Sequence, residues 1–307
     1  MFDLIIIGGS AAATAAGVYA ARRNVNFKII TKDFGGEVAI SGEIANWPGM
    51  IKTDGLALTQ QFKDHLKSYN VEPEEGVEVQ KISVAEDGTF CISAKADGSD
   101  CDYTARAVII TTGVHPRELN LPSEKEFRNK GVSYCTVCDG PLFQGKVVAV
   151  VGGGNSALES ALMLSEIATK VYLINKNSSF KGEEVLIGKC TGDSNIEIIY
   201  NATTTKVLGN DFVTGLAYND KEGKEQEIKV DGIFVHIGQL PNSGLVPAEV
   251  KKDNFGQIMV NKNCETNIPG LYAAGDVTDV PFKQIVIAAG QGTIAALSAI
   301  SYLNKMK

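Results

Sequence analysis

Two cysteines and an acid near the middle of the chain have the types and spacing for redox chemistry. Cys135 and Cys138 are separated by two residues, so they can close a small disulfide or stand as two thiols, and Asp139 follows at once. The alternative is a zinc site, but a tetrahedral structural site needs four ligands. The other cysteines are scattered and the three histidines are isolated. The pair therefore favours a dithiol centre, and no metal is expected.

A glycine-rich turn follows the cysteine pair. The run KVVAVVGGGNSALESALML predicts a buried strand, a tight Gly152-x-Gly154-x-x-Ala157 turn and a helix. This arrangement directs backbone N–H groups at a pyrophosphate. The next strand, Val171 to Ile174, leads into NKNSSFKG, which carries Lys176 and Lys181 near the place of a 2′-phosphate. Solvated lysines on a loop are the alternative.

A second turn of the same kind lies at the N-terminus. The apolar run Leu4 to Ile7 ends in Gly8-x-Ser10-x-x-Ala13, and an alanine-rich helix follows. Serine replaces the second glycine of the usual pattern, but it is small enough for a backbone to approach a phosphate. The following strand, Phe27 to Ile30, ends in Thr31 and Lys32, where an acid that binds ribose would be expected.

Near the C-terminus, LYAAGDVTD places Gly275 and Asp276 at the end of a buried strand. An acid there can meet a polyol hydroxyl or a flavin phosphate linker, and capping of a helix is the alternative role for Asp276. A helix with small residues on one face is predicted to begin near Lys283.

Alternating segments between these parts predict two antiparallel meanders, each followed by a buried strand. The first meander comprises Val77 to Val84, Thr89 to Lys95 and Tyr103 to Ala105, before the strand Ala107 to Thr111. The second comprises Ile196 to Tyr200, Thr204 to Leu208, Val213 to Tyr218 and Gln226 to Val230, before the strand Gly232 to Gly238. A helix is predicted from Leu56 to Asn70.

The bulk properties exclude some classes of function. With 307 residues, the length favours about two domains. The net charge of -7 argues against a nucleic-acid partner or an anionic membrane surface. No signal peptide and no membrane-spanning segment are expected. Six cysteines without framework spacing suit a reducing cytosol, so a cytoplasmic enzyme is predicted.

Taken together, these motifs resemble the low-molecular-weight thioredoxin reductase family, the class II pyridine nucleotide-disulfide oxidoreductases. Within it, the chain is most similar to the flavoprotein subunit of alkyl hydroperoxide reductase without its N-terminal redoxin region. The motifs that carry the resemblance span nearly the whole chain: Gly35-Gly36-Glu37, Asn46-Trp47-Pro48-Gly49, Thr112-Gly113, CTVCDGPLF, VVGGGNSALESA, FVHIGQLPN, ETNIPGLYAAGDV and FKQIVIAAGQG.

The resemblance implies an α/β fold of two Rossmann-like domains, each of three ββα layers, the second inserted in the first. The FAD-binding domain is expected at 1–114 and 243–307, and the NAD(P)-binding domain with the CxxC at 115–242. The FAD contacts that the resemblance implies are Gly8, Ser10, Ala11, Ala12, Gly36, Glu37, Asn46, Val79, Thr112, Gly113, Gly275, Asp276, Lys283, Gln284 and Ile285, with Thr31 and Lys32 at the ribose position.

The nicotinamide cofactor is expected to be NADPH or NADH. The implied contacts are Gly152, Gly154, Asn155, Ser156, Asn175, Lys176, Lys181 and Gly238. Relatives that use NADPH have a histidine and arginines where this chain has Asn175, Lys176, Asn177 and Lys181, and relatives that prefer NADH have an acid at the first position. This chain has neither pattern, so the resemblance leaves the choice of nucleotide open.

The resemblance also implies a mechanism and partners. Cys138 lies against the flavin, Cys135 attacks the partner disulfide and Asp139 shuttles a proton, with a raised pKa if it is buried. The expected partner is a separate thioredoxin-like or glutaredoxin-like protein, and the expected assembly is a homodimer. Two alternatives stay open: reduced ferredoxin as the electron donor, or a flavin-dependent thiol oxidase or redox sensor.

The resemblance predicts that two linkers, near 114–118 and 239–244, act as hinges for the inserted domain. Replacing Pro116 or Pro241 with glycine is therefore expected to change turnover more than flavin content. Steady-state turnover and flavin absorbance per chain measure the two quantities for each variant. Equal effects on both would contradict a hinge role.

Overall fold

The computed structural model describes residues 1–41, 43–96 and 98–306, and the chain divides into two compact units. Unit 1 comprises Met1–His115 and Leu240–Lys307, and unit 2 comprises Pro116–Gln239. The chain therefore crosses between units at 115/116 and 239/240, beside the predicted crossings at 114/115 and 242/243. The predicted α/β class with two Rossmann-like domains is confirmed.

Unit 1 is built on a mixed six-stranded sheet with helices on one side. Up to the first connection, its elements are β1 (Phe2–Ile7), α1 (Ala11–Arg22), β2 (Phe27–Ile30), a 3₁₀ turn (Gly36–Val38), β3 (Glu43–Ile44), β4 (Thr53–Asp54), α2 (Gly55–Lys67), β5 (Val77–Val84), β6 (Phe90–Ala96), β7 (Ser99–Ile110) and β8 (Val114–Pro116).

The second part of the chain contains the elements of unit 2 and the end of unit 1. They are β9 (Val132–Ser133), α3 (Thr136–Asp139), a 3₁₀ turn (Gly140–Phe143), β10 (Val147–Val151), α4 (Asn155–Ser165), β11 (Lys170–Asn175), α5 (Glu184–Gly192), β12 (Ile196–Tyr200), β13 (Thr203–Gly209), β14 (Val213–Asn219), β15 (Glu225–Ile228), β16 (Gly232–Val235), β17 (Gln239–Pro241), β18 (Leu271–Ala273) and α6 (Ile285–Lys305).

Strand β7 organises unit 1 because it joins the parallel and antiparallel parts of the one mixed sheet. Its last residues pair in parallel with β1 and with β18, while its first half pairs antiparallel with β6. The strand order is β2-β1-β7-β6-β5 with β18 beside β7. Leu4 and Ile6 pack toward the helices, whereas Ile5 and Ile7 pack toward the β5–β6 side. The apolar run Leu4–Ile7 within β1 suits this burial on both faces.

Unit 2 has three layers, which are the helices α4 and α5, a parallel sheet and an antiparallel meander. Its parallel sheet has the order β12-β11-β10-β16-β9, and a separate meander has the order β13-β14-β15. Val148 and Val150 pack toward α4 and α5, whereas Ala149 and Val151 pack toward the meander. The two connections between the units, β8 and β17, pair with each other as a short two-stranded sheet.

Two strand predictions are wrong. Ile196–Tyr200 is not part of the second meander, because it follows α5 and pairs in parallel with β11. The segments predicted at Tyr103 to Ala105 and Ala107 to Thr111 are not separate strands but one continuous strand, β7, which ends at Ile110, since no glycine or proline interrupts the chain between them. The end of a predicted strand also differs: β16 ends at Val235 rather than Gly238.

The sequence was expected to contain no segment with the length and apolar composition of a membrane span. By these two criteria the expectation is wrong for one helix. Helix α6 alone among the helices of the described ranges is long and apolar enough to cross a bilayer by those two criteria. Its composition has a packing role, because Ala295, Ala296, Ala299 and Leu303 are buried in the same core as α1. Small side chains let the two helices approach closely.

The contact between α1 and α6 predicts a large effect of one methyl group. A Cβ at Gly292 would overlap the backbone of Ala12, whereas a Cβ at Gly290 on the same helix would meet nothing within 4 Å. We expect Gly292→Ala to lower the free energy of unfolding by about 1–3 kcal/mol through overpacking. Denaturant unfolding of each variant measures the change.

Gly290→Ala is the matched control and is expected to be neutral or to stabilise by up to about 1 kcal/mol, since alanine has the higher helix propensity. Equal stability of the two variants would show that α1 and α6 are less closely packed than described.

Candidate redox and dinucleotide sites

The cysteine pair forms a disulfide at the start of the one-turn helix α3. The bond joins Cys135 and Cys138, whose Cα atoms are 5.3 Å apart. Cys135 caps the helix, because its Sγ accepts a hydrogen bond from the backbone N–H of Cys138 (3.3 Å). The backbone N–H of Asp139 donates to the Cys135 carbonyl (3.0 Å). The fold thus brings the predicted thiols into bonding distance.

Asp139 lies within unit 2 beside this disulfide and is partly buried. Its Oδ2 accepts a hydrogen bond from Ser133 Oγ (2.5 Å), and the same Oγ accepts from the backbone N–H of Cys135 (3.1 Å). Burial raises the pKa of Asp139, and the Ser133 hydrogen bond opposes that shift. The expected rise is confirmed. Such a carboxyl holds its proton to higher pH, which suits proton exchange with a thiolate.

Capping of the turn after Cys138 is the other role that the position of Asp139 suggests. In the part of the chain that the structure describes, Asp139 precedes the 3₁₀ turn Gly140–Phe143 but makes no side-chain cap hydrogen bond to it. The carboxyl bonds to Ser133 instead. The sequence pattern does not identify Ser133, because only the fold shows that β9 ends beside α3.

The glycine turn of unit 2 joins β10 to α4 at the edge of the parallel sheet. A Cβ at Gly152 would overlap the backbone oxygen of His236, which follows β16, so glycine is required for this close approach. Gly154 is the N-cap residue of α4 and has an extended conformation. As a glycine it has no side chain that could cap the helix. The first backbone N–H groups of the helix, near Asn155 and Ser156, are therefore oriented for an anion.

The loop after β11 folds over this turn. The backbone N–H of Lys181 donates to the Gly153 carbonyl (2.8 Å), and Asn155 accepts from the backbone N–H of Glu183 (2.8 Å). The Nδ2 of Asn155 also donates to the Glu183 carboxylate (3.0 Å). The fold thus brings the predicted contacts Gly152, Gly154, Asn155 and Lys181 together.

Asn175 is 1% exposed at the end of β11, and both atoms of its amide are used within the loop. Its Oδ1 accepts from the backbone N–H of Asn177 (3.0 Å) and its Nδ2 donates to the Ser179 carbonyl (2.9 Å). Lys176 and Lys181 are exposed, and Gly238 lies beyond the end of β16. Asn175 thus shapes the loop through its side chain, while the two lysines remain available to an anion.

The N-terminal turn of unit 1 has the same construction. A Cβ at Gly8 would overlap the backbone oxygen of Thr111, which follows β7. Ser10 caps α1 in an extended conformation without a side-chain cap bond, and Ala11 and Ala12 begin the helix. The backbone N–H of Gly35 donates to the Gly9 carbonyl (2.6 Å), so the Gly36 turn lies beside this helix end.

The end of β2 is held by local contacts. Thr31 Oγ1 donates to the Asp33 carbonyl (2.8 Å), and Lys32 forms an exposed ion pair with Glu78 (3.0 Å), the residue before Val79 in β5. The Thr31 hydroxyl is therefore used within its own turn. The ion pair of Lys32 joins the end of β2 to β5.

Asp276 is a half-buried acid of unit 1. Its Oδ1 is buried and has no hydrogen-bond partner among the groups described. Burial raises the pKa of Asp276 to about 6, with Lys283 opposing the shift and Glu37 adding to it. Burial also lowers the pKa of Lys283, whose Nζ donates to the Thr278 carbonyl (2.6 Å) and to Gln257 Oε1 (3.3 Å).

The turn around Asp276 is fixed by a residue that the sequence pattern does not reveal. Gln291 Oε1 accepts from the backbone N–H of Gly275 (2.8 Å) and from Thr278 Oγ1 (3.2 Å). Gly275 adopts a φ of 79°, which favours glycine. Gln291 lies inside a helix, where no local pattern marks it. The suggested role of Asp276 as a cap is not observed for α6, which Gln284 caps.

The other predicted FAD contacts connect separate parts of unit 1. Asn46 Nδ2 donates to Gln284 Oε1 (3.2 Å), next to Ile285 at the start of α6. Thr112 Oγ1 donates to the Asn242 carbonyl (2.7 Å), and the backbone N–H of Asn242 donates to the Gly113 carbonyl (3.0 Å). Residues far apart in the sequence thus come together along unit 1.

These features fit a flavin dinucleotide. The unpartnered Oδ1 of Asp276 needs a hydrogen-bond donor, which a ribityl hydroxyl group would provide. The glycines at 8 and 113 keep the turns free of side chains, and the cap of α1 suits a pyrophosphate.

Across the described ranges, no group of three or more His, Cys, Asp or Glu could hold a metal ion.

Comparison with known proteins points to one family. The sequence model of the family described as "Pyridine nucleotide-disulphide oxidoreductase" matches residues 2–292. An alkyl hydroperoxide reductase subunit of Pseudomonas putida is 41% identical over 98% of this chain, and its Escherichia coli (strain K12) counterpart is 39% identical over 100% of it. A protein named NADH dehydrogenase from Bacillus subtilis (strain 168) is 36% identical over 98% of it. The chain spans 58–59% of the length of these relatives.

Solved structures extend the likeness over the full chain. Thioredoxin reductase from Streptococcus pyogenes MGAS5005 is 33% identical with a TM-score of 0.91, and that from Giardia duodenalis is 31% identical with a TM-score of 0.90. Each comparison covers 99% of this chain and 99% of the chain in the solved structure.

The environment of Asp276 predicts a pH-dependent stability difference. The pKa of this carboxyl is about 6 in the folded chain against a usual 3.8, so the folded state loses stability as the pH rises from about 4 to about 6. Asp276→Asn removes this loss. We expect the flavin-free variant to gain about 2–3 kcal/mol over the wild type by pH 7 and little below pH 4.

Urea unfolding of both flavin-free chains at several pH values measures this difference, since every other group titrates in both. Flavin retention of the variant is expected to fall, because the acceptor for a donor hydroxyl is weakened. A stability difference that does not vary with pH would show that the carboxyl is ionised and well solvated.

Proposed function

Because the chain belongs to the pyridine nucleotide-disulphide oxidoreductase family, we propose that it reduces a protein disulfide with electrons from NADH or NADPH. Membership implies FAD and a nicotinamide cofactor. The proposed electron path runs from NAD(P)H through FAD and the Cys135–Cys138 dithiol to the disulfide of a thioredoxin-like or glutaredoxin-like protein. One observation carries this proposal: the Cys135–Cys138 disulfide directly precedes a dinucleotide turn in unit 2.

We assign binding of the two cofactors to the two glycine turns. FAD is held in unit 1 by the α1 turn, the Gly36 turn and Asp276, and the nicotinamide dinucleotide is held in unit 2 by the α4 turn. When bound, FAD supplies the two-electron chemistry that links hydride transfer to disulfide reduction. The protein residues bind and orient these groups and move the protons.

The step at the dithiol is thiol–disulfide exchange. The Cys135 thiolate attacks one sulfur of the partner disulfide, forming a mixed disulfide and releasing the other sulfur as a thiolate. Cys138 then attacks Cys135 Sγ, which re-forms the Cys135–Cys138 bond and releases the partner as a dithiol. Two protons pass to the partner sulfurs. In the other half of the cycle, the Cys135–Cys138 disulfide is reduced. Asp139 holds a proton on its carboxyl group for the thiolate that leaves when this bond breaks.

The choice of nucleotide depends on the loop after β11. An acid at position 175 would repel a 2′-phosphate and bind a ribose hydroxyl, but Asn175 is uncharged and its amide is used within the loop. Lys176 and Lys181 are exposed cations on that loop. We therefore propose that the site accepts both nucleotides and that the lysines favour NADPH.

The proposed assembly is the one that the family resemblance implies, and the proposed location rests on the use of cysteine. We propose a homodimer in the cytoplasm, where a paired C-x-x-C serves redox catalysis. Nucleic acid is not a proposed partner, given the net charge of -7.

Anaerobic stopped-flow reduction of the purified flavoprotein tests the proposal. We expect fast loss of flavin absorbance with NADH and with NADPH, and turnover when a thioredoxin disulfide is added. Cys135→Ser is the matched variant: it should keep flavin reduction by nucleotide but lose disulfide turnover, because the attacking thiol is gone. Lys176→Ala with Lys181→Ala should reduce the preference for NADPH and leave reduction by NADH unchanged.

The other outcomes are distinct. No flavin reduction by either nucleotide would overturn the nicotinamide assignment and favour ferredoxin as donor. Steady hydrogen peroxide formation without a protein acceptor would favour a thiol oxidase. Flavin reduction without turnover on any redoxin disulfide would favour a redox sensor.

A further inference from the structure

The helix that carries the cysteine pair is too short to be stable alone. Helix α3 has four residues, Thr136–Asp139, and an isolated helical turn of this length does not persist in water. In the disulfide form, the Cys135–Cys138 bond itself holds the turn. Once that bond is reduced, the position of the two thiols depends on non-covalent contacts.

One such contact is a cluster of three side chains in unit 2, in which Thr136 and Ser160 are buried and His236 is half-buried. Thr136 Oγ1 donates a hydrogen bond to Ser160 Oγ (2.9 Å), and His236 Nε2 lies 2.8 Å from Thr136 Oγ1 and 2.9 Å from Ser160 Oγ. Thr136 and Ser160 are 4% and 6% exposed. Hydroxyl groups buried to this degree need partners, and here they satisfy each other and the imidazole.

The three residues come from three different elements. Thr136 begins α3, Ser160 lies on α4, and His236 follows β16. The backbone of His236 is fixed as well, since its N–H donates to the Val151 carbonyl (2.8 Å). The cluster therefore ties the redox helix to the framework that forms the dinucleotide turn.

The imidazole in this cluster is neutral. Burial lowers the pKa of His236 to about 4. In one neutral tautomer Nε2 accepts a hydrogen bond from the Ser160 hydroxyl, and in the other it donates one to the Thr136 oxygen. A neutral imidazole can thus complete the cluster at physiological pH.

We propose that His236 is a positioning residue that acts through Thr136 to keep the Cys135 and Cys138 thiols close together after reduction. This inference deepens the proposed function, because it assigns a residue that sets how strongly the dithiol reduces its partner. His236 touches neither sulfur in the described contacts and is not a catalytic residue.

The physical basis is effective concentration. Two thiols held close in one rigid turn re-form their disulfide more readily than two thiols on a frayed turn. Loss of the cluster frees the reduced helix and so favours the dithiol. In the exchange with a small dithiol such as dithiothreitol, one S–S bond breaks in the protein, one forms in the reagent, and two protons move to Cys135 and Cys138.

The test is the thiol–disulfide equilibrium of the purified chain in reduced and oxidised dithiothreitol. After quenching and alkylation, peptide mapping reports the oxidised fraction at Cys135 and Cys138 separately from the four other cysteines. We expect His236→Leu to shift the equilibrium about fivefold toward the dithiol, as loss of a buried hydrogen bond suggests. A fivefold change corresponds to about 20 mV for this two-electron couple.

Matched variants separate positioning from a purely structural role. His236→Gln keeps a hydrogen-bonding amide and should restore most of the equilibrium, while Thr136→Val should reproduce the shift and Thr136→Ser should not. A purely structural role would destabilise both redox states equally and leave the equilibrium unchanged. That result would overturn the inference, as would a shift in His236→Leu that Thr136→Val does not reproduce.

Failure of this inference and failure of the proposed function are distinguishable. The equilibrium is measured without nucleotide, redoxin or turnover, so a protein inactive toward every redoxin could still show the shift. Conversely, an active reductase with unshifted variants would retain the function and lose only the role of His236.

Discussion

A close approach between a glycine and a neighbouring backbone carbonyl determines the position of both dinucleotide turns. Gly8 lies against the carbonyl of Thr111 in unit 1, and Gly152 lies against that of His236 in unit 2. In each case the carbonyl belongs to the residue that follows the adjacent parallel strand. Because no Cβ fits there, the chain can turn tightly and begin its helix at the carboxyl edge of the sheet, where the N–H groups of the first turn are available to phosphate.

The same edge of unit 2 also holds the redox helix. His236 contributes its carbonyl to the contact with Gly152 and its imidazole to the contact with Thr136. One residue thus links the nucleotide turn to the cysteine pair. A helix of four residues has little stability of its own, so its geometry is inherited from the sheet beneath it. If His236 positions the thiols as proposed, the redox potential of the pair depends in part on how the sheet holds His236.

Two carboxyl groups have raised pKa values for the same physical reason but serve different purposes. Burial raises the pKa of Asp139 beside the disulfide and that of Asp276 in unit 1. Asp139 has a hydroxyl partner in Ser133 and can exchange a proton with sulfur chemistry nearby. The Oδ1 of Asp276 has no partner among the described residues, which suits the binding of a hydroxyl donor. Burial without full hydrogen bonding destabilises the folded chain, and ligand binding would offset that cost.

The sequence by itself determined the parts whose evidence is local. The glycine turns, the cysteine pair and most strands follow from spacing and apolar runs over a few residues, and the structure has them where predicted. Patterns failed where the deciding contact is distant: β12 joins the parallel sheet, and β7 continues through Arg106 as one strand shared by two layers.

Only the tertiary structure decided which polar groups meet. The Ser133–Asp139, Gly275–Gln291 and Thr136–His236 contacts join residues that are 6, 16 and 100 positions apart in the chain. A hydrogen bond between distant residues leaves no periodicity in the sequence, because it depends on where the strands and helices pack rather than on their own composition.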